Sequence, residues 1–117
     1  MKGLKKEVFS FFHALQGIIF LIVRERHARF HFLATIAAIF LGFYLNISVS
    51  EWLWIVLAIS LVLAAESFNT SIEKLADLVQ PEMDPRVKYI KDLAAGAVLL
   101  LSLAAAIIGL IIFVPHI

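Results

Sequence analysis

Glu66, Asn69, Thr70, Glu73 and Asp77 recur at helical spacing inside an otherwise apolar neighbourhood. On a helix of 3.6 residues per turn they project within about 100° of one another and form a single stripe. Three carboxylates on one face repel at neutral pH unless a cation, several basic groups or a retained proton neutralises them. A divalent metal suits such a set. Two other groups can join it. The first is Arg24-Glu25-Arg26-His27-Ala28-Arg29-Phe30-His31, whose basic residues suit lipid phosphates and read equally as an ordinary basic anchor. Within it, Glu25 is placed either to pair with Arg29 one turn on or to be the second ligand of a hard cation. The second group is Lys91-Asp92. Asp92 reads as the N-cap of a following helix, and a helix amino terminus beside a lysine also receives phosphate well.

The elements that must position these residues are membrane-spanning helices. Of 117 residues 62% are hydrophobic and 16% charged, too little polar surface to enclose a water-soluble core. Cysteine is absent, which excludes disulfides and thiolate metal sites, and a net charge of +1 gives no sign of nucleic-acid binding. Three stretches are long enough to cross about 30 Å of hydrocarbon at about 1.5 Å per helical residue. They cover about 30–49, ending near Asn46, Ser48 and Ser50, then about 52–72 with a helical extension to about 79, and about 93–114, ending at Pro115. Between the last two, Leu78 to Arg86, with two prolines and two acids, reads as a solvated turn.

A fourth apolar run, residues 8–23, is short and is interrupted by His13, Gln16 and Gly17. Lys2, Lys6, Ser10, His13, Gly17 and Arg24 fall in one narrow stripe at 100° per residue, so residues 4–24 are expected to form an amphipathic helix lying in the interface. The alternative is a short first span. No small-residue cleavage site follows the basic start, so this helix is expected to be retained.

Six of the ten Lys and Arg residues precede the first span and the other four lie between the second and third. The positive-inside rule then places the amino terminus in the cytoplasm and the carboxyl terminus outside. Counted from Trp52 at about 1.5 Å per residue, Glu66 lies about 21 Å inward, near the inner interface where a lipid headgroup hydroxyl sits. Glu73, two turns further, is where a water-soluble nucleotide could bring magnesium. An ionisable group at the depth of Glu66 is costly and is usually retained for function or paired.

The set Phe11-x-x-Ala14-x-x-Gly17, Glu25 with Arg29 and His31, Glu66-x-x-Asn69-x-x-x-Glu73-x-x-x-Asp77 and Lys91-Asp92-x-x-Ala95 resembles the prokaryotic-type diacylglycerol kinase family across nearly the whole chain. These are small trimeric membrane kinases that include undecaprenol kinases. The resemblance implies an all-α membrane protein, with an interfacial helix and three spans assembled as a homotrimer whose sites are shared between subunits. It implies transfer of the γ-phosphate of ATP to a lipid alcohol in the bacterial cell membrane. It further implies that Glu66 is the general base facing the lipid hydroxyl and that Glu25 and Glu73 hold Mg²⁺ on the nucleotide phosphates. Asn69, Lys91 and Asp92 would complete the nucleotide site, with Lys6, His13, Glu82 and Asp84 at further nucleotide contacts. Many Gram-positive-type members have Asn where this chain has His27, yet Arg29 and His31 agree with that branch, which leans towards undecaprenol. Both diacylglycerol and undecaprenol remain open as acceptors.

Two other functions compete with this expectation. An intramembrane carboxylate can mark a proton or cation pathway, but such a path would need polar groups in the outer half, where the first and third spans offer almost none beyond Ser102. An assembly subunit packed through Gly96, Ala104 and Ala105 leaves Glu66 without a role.

Overall fold

The structure, a computed structural model, describes residues 2–117. Among them there are four long helices, α1 (Lys2–Arg24), α2 (Arg26–Tyr44), α3 (Val49–Val79) and α4 (Pro85–Phe113), followed by a 3₁₀ turn, Val114–His116. The all-helical expectation is borne out. All four helices are long and apolar enough to cross a membrane.

Helices α1 and α2 are nearly continuous. Only Glu25 leaves helical geometry (φ −103°, ψ 120°), and the amides of Glu25 and Arg29 still donate to the carbonyls of Leu21 and Glu25. Helix α2 therefore starts four residues before the expected span. The Arg29 guanidinium donates back across the corner to the Val23 carbonyl, so it does not pair with Glu25. Ala28 is fully buried just inside the corner, and any larger side chain there would push α2 off its neighbours.

At the other end of α2 the chain reverses tightly. Asn46 takes φ 51°, a left-handed conformation that asparagine tolerates better than most residues. Ser48 then opens α3 with a capping box: its hydroxyl accepts from the Glu51 amide at 3.2 Å, and the Glu51 carboxylate accepts from the Ser48 amide at 2.9 Å. That amide, and then His116 at 3.0 Å from the Glu51 carboxylate, hold the Glu51 carboxyl below its usual range. The carboxyl-terminal turn is thereby tied to the start of α3.

Gly42 is required by this reversal. A Cβ there would lie 2.6 Å from the Trp52 ring, and that ring is itself packed against Phe43 with centroids 4.9 Å apart. Gly42→Ala should therefore separate α2 from α3 and destabilise the hairpin by about 1–3 kcal/mol, the usual cost of overpacking. Thermal unfolding in detergent, followed by circular dichroism, would register a lower midpoint than the parent. An unchanged midpoint would mean that Trp52 can move aside.

Helix α3 runs unbroken through Glu66 to Val79, as expected. At about 1.5 Å per residue it exceeds the hydrocarbon thickness by several turns. Helix α4, by contrast, begins eight residues earlier than the expected span. Asp84, not Asp92, is its N-cap: the Asp84 carboxylate accepts from the Arg86 amide at 2.8 Å, and Pro85 occupies the first helical position, where its missing N–H is not needed. Asp92 lies two turns inside the helix and accepts from Lys88 at 2.6 Å. The positive end of the α4 dipole consequently sits at Asp84, away from Lys91.

The core lies at the end of the bundle that holds the turn between α2 and α3 and the carboxyl terminus, where Ile47, Ile55 and Ile112 are buried among Trp52, Ile59, Ile108 and Phe113. Helices α3 and α4 are the most intimately packed pair, and α1 touches only α2 and α3. With extents of 49 × 47 × 21 Å the chain is a slab about two helices thick. Large apolar side chains such as Phe40, Phe43, Leu100 and Ile111 remain exposed on it, which suits a surface in contact with lipid or with other copies.

Candidate active site

Glu66 is the buried charged residue among the described ones, at 3% exposure. It lies on the face of α3 that also buries Ile55, Ala58 and Val62, so the inward face of the span ends in a carboxylate. Its Oε1 is 3.1 Å from Nε2 of His31 on α2, close enough for an ion pair yet not aligned as a hydrogen bond.

From this pair an apolar groove of about 330 Å³ runs outward between α2, α3 and α4. His31 and Val62 stand at its inner end and Phe113 at its outer end, while Ala34, Ala38, Ala105, Ala106 and Gly109 keep it open. Small side chains on α2 and α4 leave this space between the helices unfilled. Ser102 is one of the few polar residues in its wall, and its hydroxyl is buried without a partner.

Inward of Glu66 the polar stripe continues as expected, but each acid has its own neighbour. Asn69 Nδ2 donates to Glu73 Oε1 at 3.3 Å, while Asn69 Oδ1 is buried with no partner. Lys91 on α4 donates to Asp77 at 2.6 Å, joining the inner ends of α3 and α4. Glu25 meets Lys74 at 3.4 Å, which brings the corner between α1 and α2 to the level of Glu73. Like-charge repulsion along the stripe is thus relieved group by group. Among the described residues no three acids or imidazoles converge on one point.

A second hollow, of about 350 Å³, opens between the inner ends of α3 and α4. It gathers Asp77, Glu82, Asp84, Lys88, Lys91 and Asp92, four acids against two bases. Bare phosphates would be repelled there, so a polyphosphate needs an accompanying cation. Asp84 is already engaged: the Arg86 side chain, then its backbone N–H, bring the Asp84 carboxyl down to about 2. Because that value is depressed, its contribution to capping α4 is fully present above the ordinary carboxylate range and is lost only as pH falls through about 2.

The structure therefore brings Glu82, Asp84, Lys91 and Asp92 together, and it places Glu25 at the level of Glu73, Glu73 itself being joined to Asn69. It does not bring Lys6 or His13 to them. Both are exposed on the part of α1 that projects from the bundle, and α1 makes no contact with α4. His31 belonged to the sequence pattern without a role, since its meeting with Glu66 depends on how α2 packs on α3. The residues fit a magnesium ion in kind. Glu25 and Glu73 are partly exposed carboxylates, the hard oxygen donors that magnesium takes together with phosphates, and the orphaned Asn69 Oδ1 is a further acceptor beside Glu73.

Residues 12–113 match the family model described as prokaryotic diacylglycerol kinase. The chain is 41% identical over 106 residues to the undecaprenol kinase of Bacillus subtilis, a match covering 91% of this chain and 86% of that one. It is 33% identical over 107 residues to a diacylglycerol kinase of Synechocystis, covering 91% of this chain and 61% of that one. A diacylglycerol kinase of Helicobacter pylori is 30% identical over 99 residues, covering 85% and 77% respectively. A buried carboxylate on a helix apolar enough to span a membrane, with an apolar groove beginning beside it, thus occurs in a membrane-bound lipid kinase, and the chain is a member of the prokaryotic diacylglycerol kinase family.

Proposed function

We propose that this kinase transfers the γ-phosphate of ATP to the hydroxyl of a membrane lipid alcohol, with undecaprenol favoured over diacylglycerol as acceptor. The observation that carries this reading is the position of Glu66, buried where the apolar groove ends and the polar stripe towards the nucleotide begins. A lipid chain lying in the groove brings its terminal hydroxyl to Glu66, which acts as general base. The higher identity to the Bacillus undecaprenol kinase supports the prenyl alcohol.

Phosphoryl transfer needs little covalent help, so positioning and charge neutralisation govern the rate. Glu25 and Glu73 would hold Mg²⁺, which supplies neutralisation of the phosphate charge. Asn69 orients the Glu73 carboxylate, and Lys91, held by Asp77, presents positive charge to the phosphates. Lys91 does this with its own ammonium and not with the α4 amino terminus, which lies two turns away. The working unit is the homotrimer that the family pattern implies; the thinness of one chain supports an oligomer, because one slab leaves both faces of the site open and a neighbouring subunit can supply Lys6 and His13 to it.

The membrane is the bacterial plasma membrane, with α1 in its inner interface, the amino terminus in the cytoplasm and the carboxyl terminus outside. A reporter fused before Lys2 should then behave as internal and one after Ile117 as external. Both reporters on one side would overturn the three-span topology and make α1 a span. For the reaction itself, purified protein in mixed micelles would receive labelled ATP with undecaprenol or diacylglycerol. Label is expected chiefly in undecaprenyl phosphate. Faster labelling of diacylglycerol would reverse the acceptor preference, and no label in either lipid would remove the proposed reaction.

A further inference from the structure

We propose that His31 is the positioning residue for Glu66, fixing which carboxylate oxygen receives the proton of the lipid hydroxyl. The inference rests on Glu66 being the general base. Among the described residues no Lys or Arg pairs with Glu66, and its ion-pair partner is the His31 imidazole, Nε2 to Oε1 3.1 Å. Oε1 is fully buried and otherwise unpartnered. A buried carboxylate oxygen without a donor is costly, so the one donor within reach governs how the group is oriented.

The ring is well placed for this. His31 lines the inner end of the groove, its imidazole meets Phe30 edge-on with centroids 5.7 Å apart at 80°, and its carbonyl accepts from Thr35 at 2.8 Å. An imidazole is short enough to remain beside Glu66 at the lip of an apolar groove, where a lysine or arginine would carry its charge away to water. The contact is close but imperfectly aligned, as catalytic hydrogen bonds often are before substrate enters.

With Nε2–H donating to Oε1, Oε2 is the oxygen left free to take the proton. As the lipid O–H bond breaks, its proton passes to Oε2. The freed oxygen bonds to the γ-phosphorus, and the bond between that phosphorus and the β-bridging oxygen breaks, leaving ADP. The Nε2 proton stays on His31 throughout, so the imidazole acts only by holding Glu66.

The test compares His31→Leu and His31→Gln with the parent, Glu66→Gln and the Glu66→Gln/His31→Leu double variant, all assayed in micelles with undecaprenol. A glutamine side-chain amide can occupy nearly the place of Nε2 and donate to Oε1. His31→Leu is expected to lower kcat about 10- to 100-fold with the KM for ATP unchanged, His31→Gln to recover most of that loss, and the double variant to be no slower than Glu66→Gln alone. If His31→Leu fails to fold, His31→Gln compared with His31→Asn, whose amide is too short to reach, gives the same contrast. Parental kcat in His31→Leu or His31→Asn, equal loss in His31→Gln, or a double variant slower than Glu66→Gln would overturn the proposal while leaving Glu66 as base. Parental kcat in Glu66→Gln would overturn the general-base reading instead, and this inference with it.

Discussion

Glu66→Gln should lower the turnover number by about 10²- to 10⁴-fold, the usual contribution of a general base, while nucleotide affinity hardly changes. The amide preserves the shape of the side chain and can still face His31, but it cannot take up the hydroxyl proton. Folding should not suffer. Glu66 is buried at 3% exposure, and an amide of the same shape there carries no charge to desolvate. Steady-state kinetics with saturating lipid, paired with nucleotide-binding calorimetry, would separate the two effects. Loss of nucleotide binding would move Glu66 into the metal site, and near-normal turnover would end its assignment as base.

Glu25→Gln and Glu73→Gln should each weaken binding of a magnesium-loaded, non-hydrolysable nucleotide by at least about tenfold, or about 1.4 kcal/mol. On the proposed site each substitution would remove one hard anionic donor from a magnesium ion, which takes few protein ligands. Assembly should survive both changes. The Glu25 pair with Lys74 is partly exposed, and exposed pairs contribute at most about 1 kcal/mol, while glutamine at 73 can still accept from Asn69. Calorimetry with and without magnesium is the decisive comparison. Affinities equal to the parent in both variants would remove these carboxylates from the metal site, and losses that persist without magnesium would make them direct nucleotide contacts.

Much of the fold was legible because lipid imposes a simple rule. A span must be helical and apolar over about 20 residues, so its existence can be read by counting. The run from Trp52 through Glu66 to Val79 was recognisable as one helix for this reason, and the periodic acids marked its one polar face. Helix starts were harder to read. Asp92 and Asp84 are both acceptable N-caps, and the choice went to Asp84 because Pro85 favours the first helical position and Arg86 supplies both an amide and a guanidinium to the carboxylate. The break at Glu25 was equally ambiguous. One extended residue suffices to turn α1 away from α2, and no glycine or proline announces it.

The sequence by itself determined a membrane protein, a polar stripe on one of its helices, and a family pattern spread over nearly the whole chain. These properties are local or compositional, set by periodicity and by the solvent each segment can tolerate. Only the tertiary structure decided which groups from different helices meet: His31 with Glu66, Glu25 with Lys74, Lys91 with Asp77, and the small residues of α2 and α4 across an open groove. The physical reason is that such meetings depend on the rotation and crossing of whole helices. Those are set by bulky contacts far away, such as Trp52 against Gly42 and Ile55 against Ile47 and Ile112, and not by the residues that are brought together.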